Sequence, residues 1–187
     1  MAYLNSQQLD ALGFMYLGNN VRISDSAKIY GAELMSIGDN SRIDDYVVLS
    51  GAVTIGRNVH IAVHSSLNAS TNKIVIEDFA GVSFGCHLFA ASEDYTGIAL
   101  TNPTVPVEFR INVAAANIRL GRHVVIGASS VVFPGVDLGD GCSVGANSTV
   151  TKSTAPWGVY VGSPARRIRE RSKDLLEYEE KYLRSTQ

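Results

Sequence analysis

The residues able to do chemistry gather in a few places. Glu93, Asp94 and Tyr95 stand side by side. Two adjacent carboxylates next to a phenol can do acid–base work if their surroundings tune one of them; on an open loop the same pair is simply solvated. His60, His64, His87 and His123 are the side chains that titrate near neutral pH. His60 and His64 lie four residues apart and are candidate bases, whereas a lone histidine at a turn is usually structural or exposed. No three of the four have metal-ligand spacing, so no metal is expected. From Lys152 onward eight basic residues meet five acidic ones, about +3, on a body of about −5. That end reads either as a local anion site suited to phosphates or as a solvated terminal helix. Cys86 and Cys142 are too few for a disulfide scaffold and suit a reduced, cytoplasmic protein with buried thiols.

A repeat must position these groups. In steps of six come Ile37, Ile43, Leu49, Ile55, Ile61 and Leu67; then Ile76, Val82 and Leu88; then, beyond an insert, Leu120, Ile126, Val132, Leu138, Val144 and Val150. Four residues after each stands a small or β-branched residue, among them Ser41, Val47, Val53, Val59, Ser65, Thr71, Ala80, Cys86, Ser92, Ser130, Cys142, Ser148 and Thr154. Glycine often follows the apolar residue, as at Gly38, Gly56, Gly121 and Gly139. This is the hexapeptide repeat of a parallel β-helix, in which three hexads close one triangular coil. The apolar column stacks inside, and the second column is small because it too points into a narrow interior.

The 187 residues, 45% hydrophobic and 18% charged with net charge −2, predict one globular domain rather than a disordered chain. The near-neutral balance argues against nucleic-acid binding, and no apolar run reaches the roughly 20 residues of a membrane span. No secretory leader is expected at the start. The expected layout is an N-terminal helix or cap over 1–20, with Ser6 as N-cap and Gly13 as stop; a β-helix over 21–165, irregular in its first coil at Ile23 and Ile29; and a C-terminal helix over 166–187. Within that last stretch the helical pattern covers 168–184, with Leu175, Leu176, Tyr182 and Leu183 on one side. A single loop at about 90–117 breaks the rhythm. A loop of that length on a compact coil is usually functional, and it carries Glu93, Asp94 and Tyr95.

The repeat, the one extruded loop, and the tail Val144-Gly145-Ala146-Asn147-Ser148, Thr151-Lys152, Gly162-Ser163-Pro164-Ala165-Arg166 together resemble the hexapeptide-repeat acyltransferases. The likeness is to the branch holding galactoside and maltose O-acetyltransferases and bacterial nucleotide-sugar N-acetyltransferases. It covers about residues 20–170. It implies an all-β, left-handed parallel β-helix with short terminal helices, a homotrimer with active sites between subunits, and acetyl-CoA as co-substrate. It also implies that Ala128 and Ala146 hold the pantetheine arm through backbone groups, with Thr151 and Lys152 further along it. Arg166 and Arg169 would face the CoA phosphates, and Trp157 either stacks near the adenine or simply packs. In the O-acetyltransferases a loop histidine deprotonates the sugar hydroxyl; here the resemblance puts Glu93 at that site. An amine acceptor asks less of a base, because once neutral it is already nucleophilic.

The short motifs Glu93-Asp94-Tyr95-Thr96-Gly97 and Thr101-Asn102-Pro103-Thr104-Val105-Pro106 resemble enzymes of O-antigen sugar synthesis. The reading is therefore an acetyl-CoA-dependent N-acetyltransferase acting on a dTDP-linked amino-dideoxy sugar. Asp94 or Glu93 handles the amine, and Tyr95, Asn102 and His87 contact the sugar. The alternatives are a polysaccharide O-acetyltransferase using His60 or His64, or a non-catalytic β-helix scaffold.

Overall fold

The computed structural model describes residues 2–185. Two- and three-residue strands separated by tight turns wind into a left-handed parallel β-helix with three flat faces. The first face stacks Arg22–Ile23, Arg42–Ile43, His60–Ile61, Gly81–Val82, Val125–Ile126, Ser143–Val144 and Gly158–Val161. The second stacks Lys28–Tyr30 on Val48, Leu49 and Ser50, then Ser66, Leu67 and Asn68, His87–Phe89, Val131–Val132 and Thr149–Val150. The third stacks Tyr16–Leu17, Ser36–Ile37, the ends of strands Val48–Ile55 and Ser66–Ile76, Ile118–Leu120 and Asp137–Leu138. The first coil stays in register, Ile23 pairing with Ile43 and Ile29 with Leu49, but it is irregular as expected: a 3-10 turn at Ala32–Leu34 lengthens it before Ser36–Ile37.

The interior follows the two sequence columns. Every Ile, Leu and Val of the first, from Ile37 to Val150, is buried. In the second, buried serines satisfy their hydroxyls across the coil: Ser41 Oγ donates to Gly56 O (2.8 Å), Ser65 to Ser83 O (2.9 Å) and Ser130 to Gly145 O (3.0 Å). Cys86 and Cys142 are buried free thiols that burial pushes above the usual thiol range. Ser92 leaves the column for the antiparallel stem of the extruded loop, and Thr71 leaves it as well. The eleven-residue strand Ser66–Ile76 bends around a corner, which turns Thr71 outward and puts Ala69 inside.

The corners need left-handed backbone. Asn20, Asn40, Asn58, Phe79, His123, Gly141 and Trp157 form one such ladder, and Tyr46, His64, Gly85, Ser129 and Asn147 a second. For an L-residue this region costs about 1–2 kcal/mol per residue. Hydrogen bonds to the coil before hold most of these corners, among them Asn58 N–H to Asp39 O (2.8 Å), Phe79 N–H to Arg57 O (3.0 Å) and His123 N–H to Asp78 O (3.1 Å). At Gly141 a Cβ would enter the Trp157 indole, so only glycine fits that rung. Gly38 and Gly56 are required by close approach, because a Cβ there would meet the backbone of the next coil.

The ends correct two expectations. Helix α1, Ser6–Leu12, is capped not by Ser6 but by Asn5, whose side chain accepts from Gln8 N–H while the Gln8 side chain accepts from Asn5 N–H. Residues 166–170 are not helical. Arg166–Glu170 is a strand pairing antiparallel with Gly158–Val161, because the last coil presents an open edge that must be covered. Helix α2 is therefore shorter than expected, Leu175–Ser185. It runs back along the first corner ladder. Glu179 accepts from Arg122 and from His123 Nε2 (2.8 Å). The Tyr182 ring meets Phe79 edge-on at 6.1 Å and its hydroxyl reaches Asn58 (3.4 Å). Beneath the helix Arg171 donates to His123 O (2.7 Å) and Gly141 O (3.1 Å). No helix among the described residues is long and apolar enough to cross a membrane.

His123 is nearly buried, and that burial, reinforced by Arg122 and Arg171, lowers its pKa from the usual imidazole range. The unfolded chain then takes up the proton more readily than the folded one. Stability is lost as pH falls below about 6.5. The melting temperature of the protein should drop between pH 7 and pH 5, and His123→Asn should flatten that drop. An identical pH profile in the variant refutes the role.

Candidate active site

The extruded loop leaves the corner between the second and third faces directly after Phe89. Its stem is the antiparallel pair Ala91–Ser92 and Ala114–Ala115. The bulge below supports it: Ala90 N–H donates to Asn68 O (2.9 Å), Asn72 Nδ2 to Ala90 O (3.3 Å) and Lys73 N–H to Asn117 Oδ1 (2.9 Å).

The two loop carboxylates have different surroundings. Asp94 is 8% exposed and serves as the hub of the loop. It accepts from Thr96 N–H (3.0 Å) and Oγ1 (2.6 Å), Ile98 N–H (2.8 Å), Ala99 N–H (3.2 Å) and Asn112 Nδ2 (2.7 Å). The Thr96 hydroxyl, ahead of the other donors, holds this carboxyl well below the usual carboxylate range. A carboxylate so stabilised is a poor proton acceptor and a strong organiser. Glu93 binds Arg110 through Oε1 (3.1 Å), and its Oε2 is buried without a hydrogen-bond partner among the described residues. An acceptor in that state costs free energy until a donor arrives.

Glu93 and Asp94 share a cleft of about 360 Å³. Ser92, Tyr95, Thr96, Asn112, Val113 and Ala114 of the loop form its roof. Phe133, Pro134 and Thr151, from the coils below, form its floor. The structure thus brings together Glu93, Asp94, Tyr95 and Thr151. Lys152 and Arg166 meet separately around a cavity of about 300 Å³ with Tyr160 and Arg167, and Arg169 lies further along the same exposed strand.

Other expected residues stand apart from the cleft. His60 is on the first face, its Nε2 2.7 Å from Asp44 Oδ2 and 2.8 Å from Arg42. His64 occupies the second corner ladder, stacked on Tyr46 at 5.0 Å. Ala128 and Ala146 border that same ladder, where Asn147 N–H donates to Ala128 O (2.8 Å). His87 is exposed on the second face, with Nδ1 2.8 Å from Ser66 Oγ. The Asn102 side chain is engaged in a local turn, accepting from Thr104 N–H (3.0 Å) and Oγ1 (2.5 Å). Trp157 packs on Gly141 with Lys173 over its face. Among the described residues no three His, Cys, Asp or Glu side chains converge as a metal-ligand set.

Sequence reasoning missed Arg110, Asn112 and Phe133. The first two reach Glu93 and Asp94 across an aperiodic loop, where no spacing rule applies. Phe133 was findable: one position past the buried column, the coil register aligns Asn68, Phe89, Phe133 and Thr151 along one edge.

The bacterial transferase hexapeptide (six repeats) pattern matches residues 35–69, and the hexapeptide repeat of succinyl-transferase matches 117–152. The chain is 43% identical to dTDP-4-amino-4,6-dideoxy-D-glucose acyltransferase of Escherichia coli, over 96% of this chain and 94% of that one. It is 32% identical to galactoside O-acetyltransferase of Escherichia coli K12, over 72% and 63%. It superposes with a TM-score of 0.96 and 41% identity on AntD, an N-acyltransferase from Bacillus cereus, in complex with dTDP and 3-hydroxybutyryl-CoA, over 98% and 97% of the two chains.

Because hydrogen bonds to a charged group are worth about 1.5–3 kcal/mol each, Asp94→Ala should loosen the whole loop. Limited proteolysis should cut between 95 and 111 at least about tenfold faster than in the parent, with the β-helix melting unchanged within a few degrees. Parent-like resistance refutes Asp94 as the organiser.

Proposed function

The chain belongs to the hexapeptide-repeat acyltransferases, and from that premise we propose that it transfers the acyl group of acetyl-CoA to the amine of a dTDP-linked amino-dideoxy sugar. The observation carrying this reading is the pairing in one cleft of Glu93 Oε2, an acceptor awaiting a donor, with Thr151, the residue expected along the CoA arm. Relatives that act on or bind dTDP-4-amino-4,6-dideoxyglucose support the substrate class.

In this mechanism the neutral amine enters beneath the loop and donates one N–H to Glu93. Its lone pair attacks the thioester carbonyl, forming the C–N bond, while a backbone N–H of the groove receives the developing oxyanion. The C–S bond then breaks. The surplus amine proton passes to the departing thiolate, directly or through Glu93, giving the amide and CoA thiol. Asp94 is a positioning residue, Tyr95 borders the sugar, and Lys152, Arg166 and Arg169 neutralise the CoA phosphates.

The proposed assembly is a homotrimer. Ala128 and Ala146 lie at one end of the second face and the Glu93 cleft at the other, roughly 13 Å apart along the coil at about 3.3 Å per residue. In the proposed trimer one subunit's loop meets another's corner, so that a site draws on both. Tyr95, Ile98 and Ile111, 84%, 72% and 75% exposed, give the loop an apolar surface for that contact. The location proposed is cytoplasmic, where acyl-CoA is made, and the role is in surface-polysaccharide synthesis.

Thiol release from acetyl-CoA should occur with a dTDP-linked amino-dideoxy sugar and not with its hydroxyl counterpart. Release with the hydroxyl sugar alone overturns the reading in favour of O-transfer. Glu93→Gln should lower kcat about 100-fold with KM for acetyl-CoA within about threefold; full turnover refutes the role. Mixing Glu93→Gln subunits with Ala146→Arg subunits should restore up to about one quarter of parental activity if sites are shared between subunits. No restoration places each site within one chain.

A further inference from the structure

The floor of the cleft points to a residue that measures the acyl group. The coil register places Phe89, Phe133 and Thr151 along one edge, each about 4.8 Å from the next. The Phe133 ring packs edge-on against Phe89, with centroids 4.9 Å apart and planes 60° apart. Its backbone N–H donates to Val150 O (3.0 Å), and Pro134 stiffens the next position. Phe133 is thus held from above and through its own backbone, and its free face turns into the cavity that Glu93 also borders.

This argument rests on the function proposed above. If the amine sits on Glu93 and the CoA arm passes Thr151, the thioester carbonyl must lie between them, within about 3–3.5 Å of the amine. The acyl tail then projects from that carbonyl at the level of Phe133, one coil from Thr151. The surroundings there are apolar: Val113, Ala114, Phe133 and Pro134. A rigid ring facing a tail of variable length is a steric limit. Aliphatic neighbours would gain from each added methylene, so the ring alone opposes a longer chain.

We propose that the Phe133 ring, clamped by Phe89, sets the length of the acyl group transferred, admitting acetyl and obstructing chains of four carbons.

The test measures kcat/KM for acetyl-CoA and butyryl-CoA with a saturating dTDP-linked amino-dideoxy sugar, for the parent, Phe133→Ala and Phe133→Leu. The parent should favour acetyl-CoA by at least about tenfold. Phe133→Ala should shift that ratio toward butyryl-CoA by at least about tenfold, and Phe133→Leu should shift it less in the same direction. KM for the nucleotide sugar should stay within about twofold of the parent. Leucine keeps the apolar packing, so the trend remains readable if the alanine variant is unstable. A parent that uses both thioesters equally overturns the proposal. So does a Phe133→Leu enzyme whose activities fall by one common factor, because that is the behaviour of a merely structural ring. A parent that releases thiol from neither thioester overturns the proposed function and this inference with it, and it is told apart because no acyl preference can then appear.

Discussion

Parallel pairing between successive coils, at about 4.8 Å per step, fixes where every side chain of this protein can stand. Most strands are two or three residues long, so one shifted residue would turn a buried leucine outward and an arginine in. The interior tolerates no such slip. It is filled by one column of Ile, Leu and Val and one of small residues, with serine hydroxyls satisfied across the coil. The strained corners are held because that register repeats, most residues of the two ladders donating to the coil before them.

The cleft of Glu93 and Asp94 sits where this regularity is interrupted. Strand Ser66–Ile76 takes extra residues around its corner, and the next coil extrudes its loop at the same corner. The bulge supports the stem, and the stem presents Glu93 and Asp94 over Phe133 and Thr151. Two neighbouring carboxylates thereby acquire opposite properties. Asp94 accepts from the loop through both oxygens, while Glu93 Oε2 has no hydrogen-bond partner among the described residues. The difference arises from the donors each carboxylate meets, the Thr96 hydroxyl on Asp94 foremost.

The fold was legible because its rule is periodic. Spacing six predicts the buried column from Ile37 to Val150 and the small column beside it. The cleft was half legible. Glu93, Asp94, Tyr95 and Thr151 could be named from the loop and the tail, yet the unequal standing of the two acids depends on Thr96, Asn112 and Arg110, which no period connects. His60, His87 and Asn102 stand apart from the cleft of their own chain: His60 lies on the first face beside Asp44, His87 meets Ser66 on the second, and Asn102 closes a local turn. The strand Arg166–Glu170 was hidden because it answers to an open edge created by tertiary structure, which a helical pattern in the sequence does not reveal.

A stack of coils in which each touches only its neighbours unzips readily from its ends. Helix α2 changes that arithmetic. It rises about 1.5 Å per residue, so roughly three of its residues span one coil spacing. Glu179 and Tyr182 are three apart, and they engage His123 and Phe79, residues of successive rungs on one corner ladder. With Arg171 anchored on the His123 and Gly141 carbonyls, the helix acts as a splint whose pitch matches the ladder it spans. The terminal coil cannot peel away without also detaching contacts several rungs inward. A molecule that would fray one layer at a time is thereby made to open the coils from Phe79 onward as a single cooperative block.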